Sequence, residues 1–286
     1  MKNRTKTTLI VSLIFGSFIF GVSTGVYQHF PFDIVQKLKS VTIGSGSGSG
    51  RYVLTNGLIE KQPLVSDSTG IFITYGQSNS TNSGQIGYDV KNDVFMFFEG
   101  KTYEYKDPSL GGTGTGGSVW GMVGDKLIEK GVYNEVIFSN CGWGGRTINE
   151  LKEGEIFDYL VQNYSLMMEK YGRVDGILFH QGESDNIKGG PESYYGSFVN
   201  FIDNLKSKGI NTNVYLSRVS LCGDSYPLNN RLTKVQNRLI NNLSNVFEGP
   251  NTDLLSEPKF RLPDNCHFSL LGYDKFSDMW VTSLSK

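Results

Sequence analysis

The chain has few of the residues that build metal sites, and its charge is nearly balanced. Its 286 residues include three cysteines, three histidines, 27 basic and 28 acidic residues, for a formal net charge of −1. A balanced charge argues against a surface that binds nucleic acid. Three scattered cysteines are too few for a zinc site or a disulfide framework. We therefore expect no nucleic-acid partner and no metal.

The three cysteines leave two alternatives open. A bridge between Cys222 and Cys266 would join two loops that follow late strands, and such a bridge forms in an oxidising compartment. Alternatively, Cys141, Cys222 and Cys266 are three separate thiols. The sequence does not decide between them.

The amino-terminal residues resemble a membrane anchor. Lys2, Arg4 and Lys6 precede an uncharged apolar run at residues 8–27, close to the roughly 20 residues that a membrane-spanning helix needs. A cleaved signal peptide has a shorter apolar region of roughly 7–15 residues and an Ala-x-Ala-like site. We predict an uncleaved anchor, with the body periplasmic or extracellular because basic residues precede the span. Secretion after signal cleavage is the alternative.

A Gly/Ser repeat at residues 44–50 has no side chains to pack, and it predicts a flexible linker. The chain therefore divides into three parts. Residues 1–28 form the membrane anchor or signal segment, residues 29–50 the juxtamembrane segment and linker, and residues 51–286 the catalytic domain.

Strand-like and helix-like segments alternate through this domain. Runs rich in β-branched and aromatic residues predict strands at residues 71–75, 94–98, 135–139, 174–179, 213–217 and 245–247. Apolar periodicity predicts helices near residues 118–131, 149–171, 192–208, 228–243 and 269–283. This alternation predicts an α/β fold, a three-layer α/β/α sandwich with a flavodoxin-like, mainly parallel sheet. The glycine-rich stretch at residues 111–117 lacks a Gly-Lys-Ser/Thr ending, so we predict a mobile loop there rather than a phosphate-binding loop.

Polar turns follow the predicted strands at one sheet edge, where ligands bind in open α/β sheets. The first strand runs into Gly-Gln-Ser-Asn, which presents the hydroxyl of Ser78. A serine is a weak nucleophile unless a base takes its proton, and that base needs a carboxylate to orient it. Of the three histidines, His29 lies beside the predicted anchor and His180 ends a strand. In the Asp-x-x-His segment a turn can bring the carboxylate against the imidazole of the same segment.

Four blocks occur in order along the chain: Gly-Gln-Ser-Asn, Gly-Gly-Arg-Thr, His-Gln-Gly-Glu-Ser-Asp and Asp-x-x-His. Together they resemble the SGNH (GDSL-like) hydrolase superfamily, and more narrowly its branch of sialic acid-specific 9-O-acetylesterases and acetylxylan esterases. The resemblance covers residues 71–286. The usual Gly-Asp-Ser-Leu and Gly-x-Asn-Asp blocks are absent, and their replacements are those of this branch.

The resemblance implies a role for each matching residue. Ser78 matches the nucleophile, His267 the general base and Asp264 the acid that orients it. The oxyanion hole would consist of the backbone N–H groups of Ser78 and Gly145 and the side-chain amide of Gln181. Gly145 has no side chain to block the approach of its N–H to a substrate oxygen.

Other residues of the blocks have less defined roles. Gln77 and Asn79 flank Ser78 and would bind substrate or support the loop. Glu183 and Asp185 could bind sugar hydroxyls, but we expect them to hold their loop by accepting backbone N–H groups, and we expect His180 to be structural. Arg146 is either a carboxylate clamp for an acidic sugar or a surface arginine paired with Glu150, four residues on.

The resemblance implies a serine esterase that removes O-acetyl groups from carbohydrate without metal or cofactor. Sialic acid, xylan and an envelope polysaccharide all remain possible substrates. A membrane-tethered O-acetyltransferase acting on an envelope polysaccharide is one alternative function. A non-catalytic sugar-binding module is another, although every expected catalytic position is filled.

Overall fold

The computed structural model describes residues 50–286, and the predicted anchor and most of the linker lie outside these residues. No helix among residues 50–286 has the length and apolarity needed to cross a membrane. Residues Arg51–Lys286 form one compact unit. Its seven strands are β1 Thr69–Gly76, β2 Val94–Phe98, β3 Lys101–Glu104, β4 Glu135–Asn140, β5 Gly176–His180, β6 Val214–Arg218 and β7 Val246–Asn251. Its helices are α1 Trp120–Glu129, α2 Ile148–Leu151, α3 Glu155–Tyr171, α4 Glu183–Lys188, α5 Pro191–Ser207, α6 Asn230–Asn242 and α7 Leu270–Leu284.

The strands form one sheet in the order β3-β2-β4-β1-β5-β6-β7. All neighbouring strands are parallel except β2 and β3, which form an antiparallel hairpin at one edge. Successive side chains of a strand point to opposite faces, so β1 contributes to two cores. Ile71 and Ile73 pack with helices α2, α3, α5 and α6, whereas Phe72 packs with α1 and α7. The predicted three-layer α/β/α sandwich is confirmed.

The central strand β1 is buried along its whole length, which matches its near-continuous apolar sequence. In the register of the sheet, Thr74 of β1 lies opposite Asn140, the last residue of β4, and Gly76 lies opposite His180, the last residue of β5. The turns that follow these three strands therefore begin at the same edge of the sheet.

Three predicted elements differ in extent from the observed ones. The helix predicted at residues 149–171 is two helices, because Gly154 adopts a positive φ of 80° between α2 and α3. Residues 183–188, which we predicted as a loop, form α4 directly after the turn at Gly182. Strand β7 is longer than predicted and contains Pro250, which an edge strand tolerates.

The glycine-rich stretch at residues 111–117 is packed rather than mobile. A Cβ atom added at Gly112 would lie 2.6 Å from the Asn140 amide, and one added at Gly114 would lie 2.4 Å from the Asn82 carbonyl oxygen. Glycines therefore occur here because their backbone lies against other backbone and against the Asn140 side chain. The glycine-rich composition alone does not distinguish such packing from mobility.

Candidate active site

The Gly-Gln-Ser-Asn turn exposes Ser78 at the end of β1. Gly76 has a φ of 138°, and a Cβ atom there would lie 2.0 Å from the His180 carbonyl oxygen, so only glycine fits this turn. Residues Ser78–Ser80 then form one turn of 3-10 helix. Gln77 and Asn79 are buried, whereas Ser78 is partly exposed. The turn thus presents the serine and buries the side chains on both sides of it.

The turn after β4, residues 141–145, lies against this serine. A Cβ atom added at Gly142 would lie 2.5 Å from Thr81 Cγ2, and one added at Gly144 would lie 3.8 Å from Ser78 Cβ. The N–H of Gly144 donates to Thr113 Oγ1 at 2.8 Å. Gly145, at a φ of 70°, is exposed. Within residues 50–286, the N–H groups of Ser78 and Gly145 have no protein acceptor, so neither is committed to another group.

Asp264 orients the ring of His267. One carboxylate oxygen of Asp264 lies 2.6 Å from His267 Nδ1, and the other accepts the backbone N–H groups of Cys266 at 2.9 Å and His267 at 3.0 Å. Burial alone would raise the pKa of Asp264, but the hydrogen bonds from the His267 ring and the two N–H groups lower it to about 2. The carboxylate is therefore ionised at neutral pH and holds Nδ1, so Nε2 is the ring nitrogen that Asp264 does not contact.

Asn79 connects the serine turn to the histidine segment. Its Nδ2 donates to the carbonyl oxygen of Cys266 at 3.1 Å and to Glu183 Oε1 at 2.9 Å. Since Asn79 follows Ser78 and Cys266 precedes His267, this hydrogen bond holds the two segments side by side. The structure thus brings together the serine turn, the glycine turn after β4 and the Asp264–His267 pair at one sheet edge.

A family model described as "Carbohydrate esterase, sialic acid-specific acetylesterase" matches residues 68–286. The chain belongs to this family of carbohydrate esterases. It is accordingly a carboxylic ester hydrolase, and its family supports activity on O-acetyl groups of carbohydrate. A comparison with curated protein sequences found no match.

Solved structures share the fold of this esterase at low sequence identity. A protein from Arabidopsis thaliana superimposes with a TM-score of 0.60 at 17% identity, covering 76% of this chain and 97% of its own. A carbohydrate acetylesterase from Xanthomonas citri gives 0.50 at 12% identity, covering 75% of this chain and 55% of its own. A Parabacteroides merdae protein, provisionally described as a GDSL-like lipase, gives 0.51 at 16% identity, covering 78% of this chain and 100% of its own. The SGNH hydrolase fold that the four sequence blocks imply is thereby confirmed.

Gln181 is fully buried in the esterase, although we predicted that its amide donates to an oxyanion. Its Nε2 lies within hydrogen-bond distance of three acceptors: Gln77 Oε1 at 3.3 Å, the Arg146 carbonyl oxygen at 3.1 Å and the Asp185 carboxylate. An amide has only two N–H groups, so these acceptors leave none for an oxyanion. In this arrangement Gln181 instead joins the loops that follow β1, β4 and β5.

The side chains of Gln77 and Asp185 are buried and support the loops around the serine turn. Gln77 Oε1 also accepts the backbone N–H of Ser184 at 3.0 Å. Asp185 accepts the N–H of Ile148 at 2.8 Å, which ties α4 to the start of α2, and burial raises its pKa. The N–H group that Asp185 accepts belongs to Ile148, the first residue of α2, and not to the loop that carries Asp185.

Glu183 and His180 lie beneath the serine turn and do not face solvent. Glu183 accepts a hydrogen bond from the Asn79 side chain, and burial raises its pKa. Its Oε1 is 3.8 Å from Nδ1 of His180. Burial, together with the charge of Arg261, lowers the pKa of His180 to about 3, and its Nε2 lies 3.0 Å from Thr252 Oγ1. A neutral, buried His180 fits the structural role that we predicted.

Arg146 pairs with Glu150, as one of its two predicted alternatives requires. The two side chains form a 2.8 Å ion pair, and each is 37% exposed. Glu150 also accepts the backbone N–H of Thr147 at 2.9 Å, so the pair caps the first turn of α2.

Arg261 is a supporting residue that no sequence motif indicates. Its buried guanidinium donates to the carbonyl oxygens of Thr252 at 2.9 Å, Leu255 at 2.8 Å and Cys266 at 2.7 Å. Burial lowers its pKa to about 10. By holding Cys266, Arg261 fixes the backbone immediately before His267. A lone arginine in a loop gives no signal of this role.

The bridge between Cys222 and Cys266 is present, and Cys141 is a buried free thiol. Because the bridge closes a segment of 44 residues, its loss is expected to reduce the free energy of unfolding by about 2–4 kcal/mol. It also tethers the backbone beside His267, so we expect reductant to lower both the melting temperature and the turnover of acetyl esters.

Two variants make the reductant test specific. In Cys141→Ala the bridge is intact, so its activity should fall on addition of reductant in the same proportion as that of the parent. The double variant Cys222→Ser, Cys266→Ser should show the lower melting temperature already and should not respond to reductant. Equal melting temperatures for the oxidised parent and the double variant would contradict the stabilising role of the bridge.

Proposed function

We propose that the esterase removes O-acetyl groups from sialic acid or from a polysaccharide by a Ser-His-Asp acyl-enzyme mechanism. The observation that supports this most directly is the contact between Asp264 and His267 Nδ1, at 2.6 Å, on a segment hydrogen-bonded to the serine turn. A histidine that a carboxylate orients, on a segment held to the turn of a partly exposed serine, is the arrangement that can activate a hydroxyl as a nucleophile.

In the proposed reaction, Ser78 Oγ attacks the acetyl carbonyl carbon while His267 Nε2 takes the hydroxyl proton. The carbonyl oxygen becomes an oxyanion, which accepts the N–H groups of Ser78 and Gly145. His267 then gives its proton to the departing sugar oxygen as the C–O bond breaks, which leaves acetyl-Ser78. Water, deprotonated by His267, attacks the acetyl carbonyl carbon. The bond between that carbon and Ser78 Oγ then breaks, His267 returns its proton to Ser78 Oγ, and the product leaves as acetate and a proton. Asp264 stabilises the imidazolium that forms in both halves of the reaction.

Gln181 contributes to the oxyanion hole in this mechanism only if its side-chain amide is free to donate. Its predicted donation to the oxyanion requires that the amide release one of its three acceptors when substrate binds. Without that change, the hole consists of two backbone donors, each of which typically contributes on the order of 10²–10³ in turnover.

Substrate identity is tested by acetate release from O-acetylated sialosides, acetylated xylan and acetylated envelope polysaccharide, with Ser78→Ala measured beside the parent. We expect release from at least one of these glycans by the parent and none by Ser78→Ala. Release without any dependence on Ser78 would contradict the proposed mechanism. Transfer of acetyl to an added sugar in preference to water would show that the same site acts as an O-acetyltransferase.

We also propose that the domain acts outside the cytoplasm, tethered by the apolar run at residues 8–27. The bridge between Cys222 and Cys266 supports this, because disulfides persist in oxidising compartments. Chain extracted from cells without reductant should contain the bridge. Three free thiols in such a preparation would contradict the proposed location.

A further inference from the structure

Arg51 and Tyr52, the first two residues of the compact unit, precede residues 68–286, which the family model matches. Both are nevertheless hydrogen-bonded to loops of the active site. The N–H of Tyr52 donates to the Gly112 carbonyl oxygen at 2.8 Å, and the N–H of Gly111 donates to the Tyr52 carbonyl oxygen at 2.8 Å. Arg51 forms an antiparallel bridge with Thr113, whose hydroxyl accepts the N–H of Gly144. Residues 51 and 52 therefore reach the turn beside Ser78 through one intermediate loop.

The side chain of Arg51 reaches the same turn directly. One guanidinium nitrogen lies 2.8 Å from the Gly111 carbonyl oxygen, 3.2 Å from that of Cys141 and 3.4 Å from that of Gly142. The guanidinium carbon is 3.6 Å from the ring centre of Tyr159 and 4.9 Å from that of Trp143. Burial lowers the pKa of Arg51, and within residues 50–286 no carboxylate pairs with it. Carbonyl dipoles and aromatic faces thus take the place of a counter-ion.

With these contacts, two consecutive peptide units of the turn that ends at Gly145 are hydrogen-bonded at both the oxygen and the N–H group. The peptide unit between Cys141 and Gly142 is held at its oxygen by Arg51 and at its N–H by Asn140 Oδ1, at 3.2 Å. The next unit is held at its oxygen by Arg51 and at its N–H, which belongs to Trp143, by the Gly76 carbonyl oxygen at 2.9 Å. Consecutive peptide units before Gly145 therefore have a defined orientation.

We propose that Arg51 is a positioning residue for the reaction, one that aims the N–H of Gly145 by fixing the turn at residues 141–145. The proposal rests on the proposed function, in which that N–H binds the oxyanion. Oxyanion donors act only when they are aligned with the oxygen of the transition state, and small displacements cost turnover. Without the guanidinium, the carbonyl oxygens of Cys141 and Gly142 lose their donor, and the turn relaxes toward other partners.

The test is the hydrolysis of p-nitrophenyl acetate by the full-length chain carrying Arg51→Met or Arg51→Lys. We expect kcat to fall by roughly 10–100-fold in Arg51→Met with little change in KM, because the donor acts on the transition state and not on bound substrate. Arg51→Lys should retain part of the rate, since an ammonium can donate to the carbonyl oxygens but lacks the planar guanidinium that lies over the Tyr159 and Trp143 rings.

Arg238→Met is the matched control. Arg238 likewise lies over a tyrosine, 4.8 Å from the ring centre of Tyr195, and it pairs with Glu192 at 3.6 Å, but it contacts none of the active-site loops. We expect parent-like kcat in this variant. An organophosphate that reacts with the active serine counts the competent sites in each preparation. The turnover per titrated site is then independent of how much of the protein is folded.

The outcomes separate this proposal from the function on which it rests. Parent-like kcat per titrated site in Arg51→Met overturns the positioning role while leaving the serine mechanism intact. The positioning role is also overturned if the activity lost in Arg51→Met is explained entirely by a higher KM or by fewer titrated sites. If Arg51→Met does not fold, the kcat of Arg51→Lys decides. A parent chain without Ser78-dependent activity overturns both proposals.

Discussion

Ser78→Ala is expected to lower kcat/KM for p-nitrophenyl acetate by roughly 10⁴-fold or more, because no acetyl-enzyme can form without the hydroxyl. The same loss is expected for His267→Ala, since an unactivated serine is a weak nucleophile at neutral pH. Residues that act as a unit are not additive, so the double variant should be no slower than either single variant. Steady-state rates of the three variants and the parent test this.

The control for the serine substitution lies in the same turn of helix. Ser80 is buried, and its hydroxyl donates to the Gln77 carbonyl oxygen at 2.7 Å instead of facing the site. Ser80→Ala should therefore cost about 1 kcal/mol of stability and leave the acyl-enzyme step in place. Mass spectrometry of quenched reactions should show one acetyl group on the parent and on Ser80→Ala, and none on Ser78→Ala. An unchanged rate in Ser78→Ala would remove the nucleophile assignment.

Asp264→Asn is expected to lower kcat by roughly 10²–10⁴-fold, because an amide can donate to Nδ1 and favour the wrong tautomer of His267. KM should change little, as Asp264 does not touch the substrate in the proposed mechanism. Asp224→Asn is the matched control. Asp224 also bonds to this loop, through the Asn265 side chain at 2.9 Å, but it does not contact the ring. Similar rates for the two asparagine variants would contradict the orienting role of Asp264.

The pH dependence of stability gives an independent measure of the same contact. The pKa of Asp264 is lowered to about 2 in the folded chain, below its usual value of 3.8. Its contribution to stability is therefore present above about pH 4 and is lost as the pH falls toward 2. The difference in unfolding free energy between parent and Asp264→Asn should shrink over that range. The side chain is 47% exposed, so solvent screening keeps this difference small.

The alternation of strands and helices was enough to predict the three-layer fold, and the polar turns indicated the sheet edge at which the candidate residues lie. These features are local: a buried parallel strand is an apolar run, and a turn that needs positive φ, such as the one at Gly76, needs glycine. Ser269, which accepts the N–H of Gly272 at 3.1 Å, similarly marks the start of α7 in the sequence.

The roles of the side chains around Ser78 depended on burial, which short motifs do not encode. Asn79, Gln181 and Glu183 are polar residues of the sequence blocks, yet all three are fully buried and hold loops together. Helix α4 was missed because its six residues are too short for a periodic apolar pattern.

The sequence by itself determined most of the strands and helices and their order, but not β3 or α4, and it also determined the glycine turns and the spacing of Asp264 and His267. These features follow from local backbone geometry. Only the tertiary structure decided which of the three cysteines pair, which turn lies against Ser78, and that Arg51 and Arg261 hold the backbone on either side of the site. Those contacts join residues far apart in the chain, up to 187 positions for Asn79 and Cys266. Long-range contacts of this kind are set by how the layers pack, and no local pattern records them.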